Sequence, residues 1–196
     1  MAPRSEALNE RLRGESRAKI LEHALRLFAE HGYDRTSVKM IAEAAGIAQG
    51  LLYNYFESKE HLLREIFAQS MRDVQESFAE AEASGSAEER IERLIRASFA
   101  IVRRHEPFWR LSYGVRMQAP VLAALGDAVP RWTETIRATL EGYFREAGAQ
   151  APDLEAAILF ALIDGVSQHY VLDPESYPLD AVAERIVASY RRGGNP

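Results

Sequence analysis

The sequence predicts an all-α protein in which a small N-terminal module of short helices is joined to a larger helical domain. Three observations carry that expectation. Apolar residues recur at spacings of three and four through successive segments of the chain. Ser or Thr stands before many of these segments, and Gly or Pro closes most of them. The stretch Ser37 to Phe56, SVKMIAEAAGIAQGLLYNYF, reads as two short helices hinged at a single glycine.

That stretch organises the N-terminal module. Val38, Ile41, Ala42 and Ala45 fall on one helical face, and the pattern restarts at Ile47, Leu52 and Phe56. Gly46, at the break, can take the left-handed conformation that ends one helix and starts the next at a steep angle. Ala42 is small where the second helix must cross the first. Between the core positions of the second helix stand Gln49, Gly50, Tyr53, Asn54 and Tyr55. A helix enclosed by protein rarely carries so many hydrogen-bonding groups on so few residues. A DNA duplex offers phosphates to Tyr and base edges to Gln or Asn. An ordinary helical hairpin in an all-α core is the competing reading of the spacing alone.

The 196 residues, 47% apolar, suffice for one good core or for a small module fused to a larger one. The absence of cysteine excludes disulfides, thiolate metal sites and a cysteine nucleophile. The first residues, MAPRSEALNERLRGESR, lack an apolar core of signal-peptide length, and the apolar run 156–163 is too short to span a bilayer. A cytoplasmic protein with no membrane partner is expected. The net charge of −5 argues mildly against binding nucleic acid. Residues 1–68, however, hold ten Lys or Arg against ten Asp or Glu, whereas 69–196 hold fourteen against nineteen. The acidic excess therefore lies outside the module, and all three lysines, Lys19, Lys39 and Lys59, lie inside it.

Taken in order, residues 1–15 are polar and lack a lasting period, which suggests a flexible arm whose Arg4, Arg11 and Arg13 face solvent or reach a phosphate. Ser16 is placed to cap the first helix, which carries Ile20, Ala24, Leu27 and Phe28 on one face to Gly32. Thr36 is placed to cap the next helix and, with that helix start, to meet a phosphate. Ser58 caps a long helix that keeps its period through Leu62, Leu63, Ile66, Phe67, Met71, Val74 and Phe78 to about Ala83. The expected organisation is thus an arm over 1–15, a DNA-binding domain over 16–67 and a helical domain over 68–196. In that last domain a helix over 86–105 is stopped by Pro107, and the aromatic segment PFWRLSYGVRMQ follows. Pro120 opens a brief helix. Helices over 129–147, 152–172 and about 179–192 complete the chain.

Several separated blocks between Ala18 and Phe67 (AL-LF-GY, the T-S-V-IA-AG-I helix-turn, G-LLY-YF and SKE-LL) resemble the DNA-binding domain of the TetR/AcrR family of transcriptional regulators. The resemblance implies a wholly helical, dimeric and usually repressive protein, released from a palindromic operator when a small, largely apolar effector binds the C-terminal domain. It further implies phosphate contacts from Thr36, Tyr53, Tyr55 and Lys59, and base-edge or nearby contacts from Gln49, Gly50 and Asn54; Ser37 and Lys39 complete the candidate set. Two departures stand out. Ala48 occupies the place where Ser or Thr often caps the second helix, and Leu51 suits a thymine methyl better than a phosphate.

The helices over 129–147 and 152–172 are too apolar for a small domain to bury on every side, and Gly142 and Gly165 sit mid-helix, where another backbone could approach closely. A homodimer through these helices is expected, with Trp132, Ile136, Gly142, Tyr143, Ile158, Leu162 and Gly165 at the interface. Effector contacts are sought among Phe99, Phe108, Trp109, Tyr113, Met117, Phe160 and Tyr170. Arg103, Arg116, Asp164, Gln168 and His169 are the polar anchors, Asp164 because a carboxylate in so apolar a helix needs a partner. No cofactor or metal is expected. An enzyme is the rival class, as is a ligand-sensing domain whose helix-turn-helix does not serve DNA. The chain carries no phosphate-binding glycine loop and no nucleophile elbow, and His61 with Glu65 reads as a surface i,i+4 pair.

Overall fold

Ten helices and no strand make up the described residues of the computed structural model, which are 3–81 and 85–191, with side chains described over 8–75 and 85–191. Arg4, Phe78 and Ala83, which entered the sequence reading, lie outside the described side chains. The chain divides into two compact units, Met1–Gln69 with Leu111–Leu125, and Ser70–Arg110 with Gly126–Pro196.

In the first unit α1 runs Pro3–His31, α2 Val38–Ala45 and α3 Gln49–Tyr53, and α4, Lys59–Ala81, begins. Helix α1 starts well before Ser16, whose hydroxyl donates back to Leu12 O at 2.8 Å instead of capping. The segment read as an arm is rich in Ala, Leu, Glu and Arg, all strong helix formers, so the helix continues through it despite its polarity. Ser37, not Thr36, caps α2, its hydroxyl accepting from Met40 N at 3.2 Å. Gly46 closes α2 at φ +69°. Its N–H donates to Glu43 O at 3.1 Å and that of Ile47 donates to Ala42 O at 3.0 Å, the paired bonds of a Schellman ending. Ala48 precedes α3 with no side-chain cap, as its methyl dictates. Ile20, Phe28, Ile41, Ala42, Leu52, Phe56, Leu62 and Phe67 fill the core of the unit. Ser58 caps α4, accepting from His61 N at 3.1 Å.

In the second unit α5 (Ala87–Arg104) begins with a capping box. Ser86 Oγ accepts from Glu89 N, and the Glu89 carboxylate accepts from Ser86 N. Helix α6, Glu106–Arg116, spans the aromatic segment. Helix α5 ends at Arg104, three residues before Pro107, and Pro107 falls in the first turn of α6, which needs no proline N–H. Helix α7 is Ala119–Ala124, with Gly126 following. Helices α8 (Ala128–Glu146), α9 (Pro152–Leu172) and α10 (Leu179–Arg191) complete the unit: α8 packs on α9, and α10 on α5. Glu92 of α5 is held by the Arg191 guanidinium of α10, with both N–H···O distances 2.7 Å, and Arg96 joins Glu184. Helix α9 is apolar around most of its circumference. Ala156, Leu159, Val166, Tyr170 and Val171 are buried, while Leu154, Ile158 and Leu162 form a stripe that is 60%, 48% and 39% exposed.

Candidate nucleic-acid interface

The Schellman turn at Gly46 decides which side of α3 meets solvent. With Leu52 fully buried, the five-residue helix has one anchor, and Gln49, Gly50, Leu51 and Tyr53 are exposed, as is Asn54 at its C-cap. Tyr53 is 48% exposed, so its ring and hydroxyl stand free of the core. A Cβ built on Gly50 meets nothing within 4 Å, so the protomer itself does not require glycine there. Helix α2, packed beneath, presents Ser37 and Lys39 on the exposed surface, with the Lys39 ammonium 3.8 Å from Glu43.

Two of the expected phosphate contacts are engaged elsewhere. Thr36 is 1% exposed, its hydroxyl between Gly32 O at 2.9 Å and Leu27 O at 3.1 Å, so it ties the end of α1 to the loop and faces no ligand. Lys59 donates to Tyr33 O at 2.9 Å and Thr36 O at 3.2 Å, and its ammonium lies 4.2 Å from the Tyr33 ring centroid. It is a strut between α4 and the loop that leads into α2. Tyr55 is half-buried. Arg13, which the sequence placed in an arm, stands beside it on α1. Its guanidinium is 5.8 Å from the Tyr55 ring and donates to Asn54 O at 3.5 Å. No spacing rule brings residue 13 to residue 54. Only the extension of α1 does.

His61 and Glu65, the pair of metal-ligand spacing, are absorbed structurally. Glu65 accepts from Arg17 at 2.8 Å, and this bond holds its carboxyl below the usual carboxylate range. The His61 ring accepts from Glu57 N at 3.3 Å. Among the described residues no group of three or more acidic or histidine side chains could hold a metal ion.

A family model for the N-terminal domain of bacterial regulatory proteins of the tetR family matches residues 20–66. A second, described as the C-terminal domain of a BetI-type transcriptional repressor, matches residues 87–192, more than half of the chain. The chain belongs to the TetR family. Among its relatives is the HTH-type transcriptional repressor KstR2 of Rhodococcus jostii, 38% identical over 87 residues. That match covers 44% of this chain and 43% of the relative, so it spans less than half of that protein. KstR2 of Mycobacterium tuberculosis is 28% identical over 162 residues, 75% of each chain. A crystal structure of the transcriptional regulator FadR from Bacillus subtilis in complex with stearoyl-CoA superposes with a TM-score of 0.75 at 19% identity, over 91% of this chain and 99% of that one, and is similar in fold. As a member of this family of bacterial regulatory proteins, the chain is a transcriptional regulator with a helix-turn-helix domain for DNA over residues 20–66.

The expected effector residues of this TetR-family protein fall into different environments. In the second unit Phe99, Phe108, Trp109 and Tyr170 are buried, and Phe160 and Asp164 are half-buried. Three expected members of that unit turn to solvent. Arg103 pairs with Asp180 at 2.5 Å, Gln168 is exposed, and the exposed His169 stacks on Tyr177 with ring centroids 6.1 Å apart. In the first unit the Arg116 guanidinium lies 4.9 Å from the Tyr113 ring, and Met117 is 91% exposed, which makes it a poor apolar wall. Of the expected dimer residues, Trp132 is buried in its own unit and Tyr143 lies under the Arg90 guanidinium at 4.7 Å, so both serve the protomer's packing. Ile136, Gly142 and Gly165 are half-buried, and neither glycine has a neighbour within 4 Å of a built Cβ. A cleft of about 650 Å³ in the second unit is lined by none of the expected effector residues. Its lining includes Glu88, Phe144, Glu155 and Tyr190, which no sequence motif connects.

Proposed function

We propose that the chain acts as a homodimer in the cytoplasm, repressing transcription from an approximately palindromic operator until a small, largely apolar effector binds its C-terminal helices. The observation that carries this reading is α3: one buried leucine holding a helix whose other residues, polar or aromatic for the most part, stand in solvent. Gln49, Gly50, Leu51, Tyr53 and Asn54 are the groups assigned to the duplex, with Ser37, Lys39 and Tyr55 flanking them. The dimer rests on the α9 stripe of Leu154, Ile158 and Leu162, which continues to Gly165 at helical spacing and which a second copy can cover. Two copies of α3 about 34 Å apart can enter successive major grooves, which is why the operator should be a palindrome.

For the effector, the buried aromatics Phe99, Phe108, Trp109 and Tyr170 favour an apolar molecule, with Asp164 as the polar contact. That the FadR structure holds stearoyl-CoA supports the same class. Helix α4 runs from the DNA-binding unit into the second, so a ligand that shifts α4 also changes the separation of the two α3 helices. The coupling is reciprocal: the effector weakens DNA as much as DNA weakens the effector.

The experiment is selection of bound sequences from random duplex DNA, followed by a screen of acyl and other apolar molecules for release of the winning sequence. A palindromic winner, bound with an affinity that falls steeply with salt, is expected. Recovery of no preferred sequence at low salt overturns the reading.

A further inference from the structure

Binding a duplex through α3 requires positive charge at the surface, because affinity for DNA comes largely from cations that meet phosphates. The residues displayed by α3 and its cap supply none, since Gln49, Gly50, Leu51, Tyr53 and Asn54 are all uncharged. Lys59 is engaged by Tyr33 O and Thr36 O, and the Lys39 ammonium stands 3.8 Å from the Glu43 carboxylate. Arg13 lies beside this surface. It is exposed on α1, and its guanidinium donates at 3.5 Å to Asn54 O, the carbonyl at the C-cap of α3. The same group lies 5.8 Å from the centroid of the Tyr55 ring.

One turn further along α1, Arg17 makes the matching ring contact, its guanidinium 5.1 Å from the centroid of Phe56, the residue after Tyr55. There the charge is neutralised by Glu65 at 2.8 Å and the ring is fully buried, so the contact serves the core of the unit. Arg11 pairs with Glu15 at 3.5 Å. Among the described residues no carboxylate pairs with Arg13, and residues 8–15 of α1 are all exposed. Of the five N–H donors of its guanidinium, the bond to Asn54 O uses one. Stacking on Tyr55 orients the planar group without using the others. An exposed, oriented cation with donors unused is suited to a phosphate. The family match begins at residue 20, so Arg13 lies outside it.

We propose that Arg13 is a further DNA-binding residue: laid against Tyr55 and tied to Asn54 O, its guanidinium donates to a phosphate of the duplex that α3 meets. The N-terminal extension of α1 is thereby part of the interface. The contact is to the backbone and not to a base, so it adds affinity without sequence preference. The proposal rests on the DNA reading above and goes beyond it, since that reading assigns only residues within 37–55 to the duplex.

The test is fluorescence polarisation of the full chain on a labelled duplex of the selected sequence, roughly 30 base pairs long to cover two successive major grooves, at several sodium chloride concentrations. Arg13→Ala should weaken binding roughly tenfold at low salt and flatten the dependence of log K on log salt by about 0.9 for each protomer bound. Arg13→Lys should keep the slope, because it keeps the charge. The loss in Arg13→Ala should be the same factor on a scrambled duplex, since a phosphate contact ignores sequence. Both variants should keep the wild-type circular dichroism and thermal midpoint, because the side chain is exposed. A wild type without salt-dependent binding overturns the DNA reading and this proposal together. Wild-type binding that Tyr53→Ala weakens, but that Arg13→Ala leaves unchanged in affinity or in salt slope, overturns this proposal alone; weaker binding at an unchanged slope makes Arg13 a brace for Tyr55 instead.

Discussion

Helices α3 and α9 each leave in solvent what their composition would seem to place elsewhere, and they do so with opposite chemistry. Helix α3 is five residues long, fastened by Leu52 alone, and displays an amide, a phenol and a glycine. Helix α9 is 21 residues long, buries one face, and still exposes leucine and isoleucine on another. Exposed hydrogen-bonding groups on a short, firmly seated helix fit a partner rich in phosphates and base edges. An exposed aliphatic stripe fits only a partner that brings its own apolar surface. In the function proposed above, the same absence of burial is assigned to DNA at one helix and to a second copy of the chain at the other.

The comparison breaks most readily at α9. Ile158→Asp puts a carboxylate into the proposed interface, where an unpaired buried charge costs several kcal/mol, about 3–5 by analogy with broken buried pairs. Sedimentation should show monomer at micromolar concentration with helicity retained; an undisturbed dimer removes the stripe from the interface. At α3 the anchor and the displayed residues should separate. Leu52→Ala should destabilise the first unit by about 2–5 kcal/mol, read as a lower thermal midpoint, because its side chain is fully buried. Tyr53→Ala should leave that midpoint within about 0.5 kcal/mol and weaken operator binding by about 1.5–3 kcal/mol, roughly ten- to a hundredfold in Kd.

Gly50→Ala sharpens the contrast. A Cβ there meets nothing in the protomer, so stability should hold or rise slightly, by up to about 1 kcal/mol, while operator affinity falls if the duplex backbone comes close. The smallest effect concerns acid. Hydrogen bonding from Arg17, then its charge, holds the Glu65 carboxyl below its ordinary value of 4.5. The pair thus contributes stability above that value, and loses it as pH falls through the depressed folded value. Because both side chains are partly exposed, the contribution is under about 1 kcal/mol. Glu65→Gln should lie below the wild type in denaturant midpoint at pH 7 and converge with it in acid.

The helix-turn-helix was legible because its signal is local: Gly46, Ala42 and the apolar spacing around them all act within a few residues. The errors arose where two residues compete for one role or where the partner is far along the chain. Thr36 and Ser37 are adjacent hydroxyls, and either could cap α2. The choice went to Ser37 because Leu27 O and Gly32 O capture the Thr36 hydroxyl. Lys59 looked free until Tyr33 O and Thr36 O came within its reach. Trp132 shares a helical stripe with Ile136, but periodicity does not tell a face turned to its own unit from one turned to a second copy.

By itself the sequence determined the helical class, the hinge at Gly46 and the family, because period, glycine placement and local blocks act over short distances. Only the tertiary structure decided that Arg13 stands beside Tyr55, that Lys59 braces a loop, and that Glu155 and Tyr190 line one cleft. Each of these depends on where helix ends arrive in space. That is set by the packing of whole helices against one another, and no local pattern of residues encodes it.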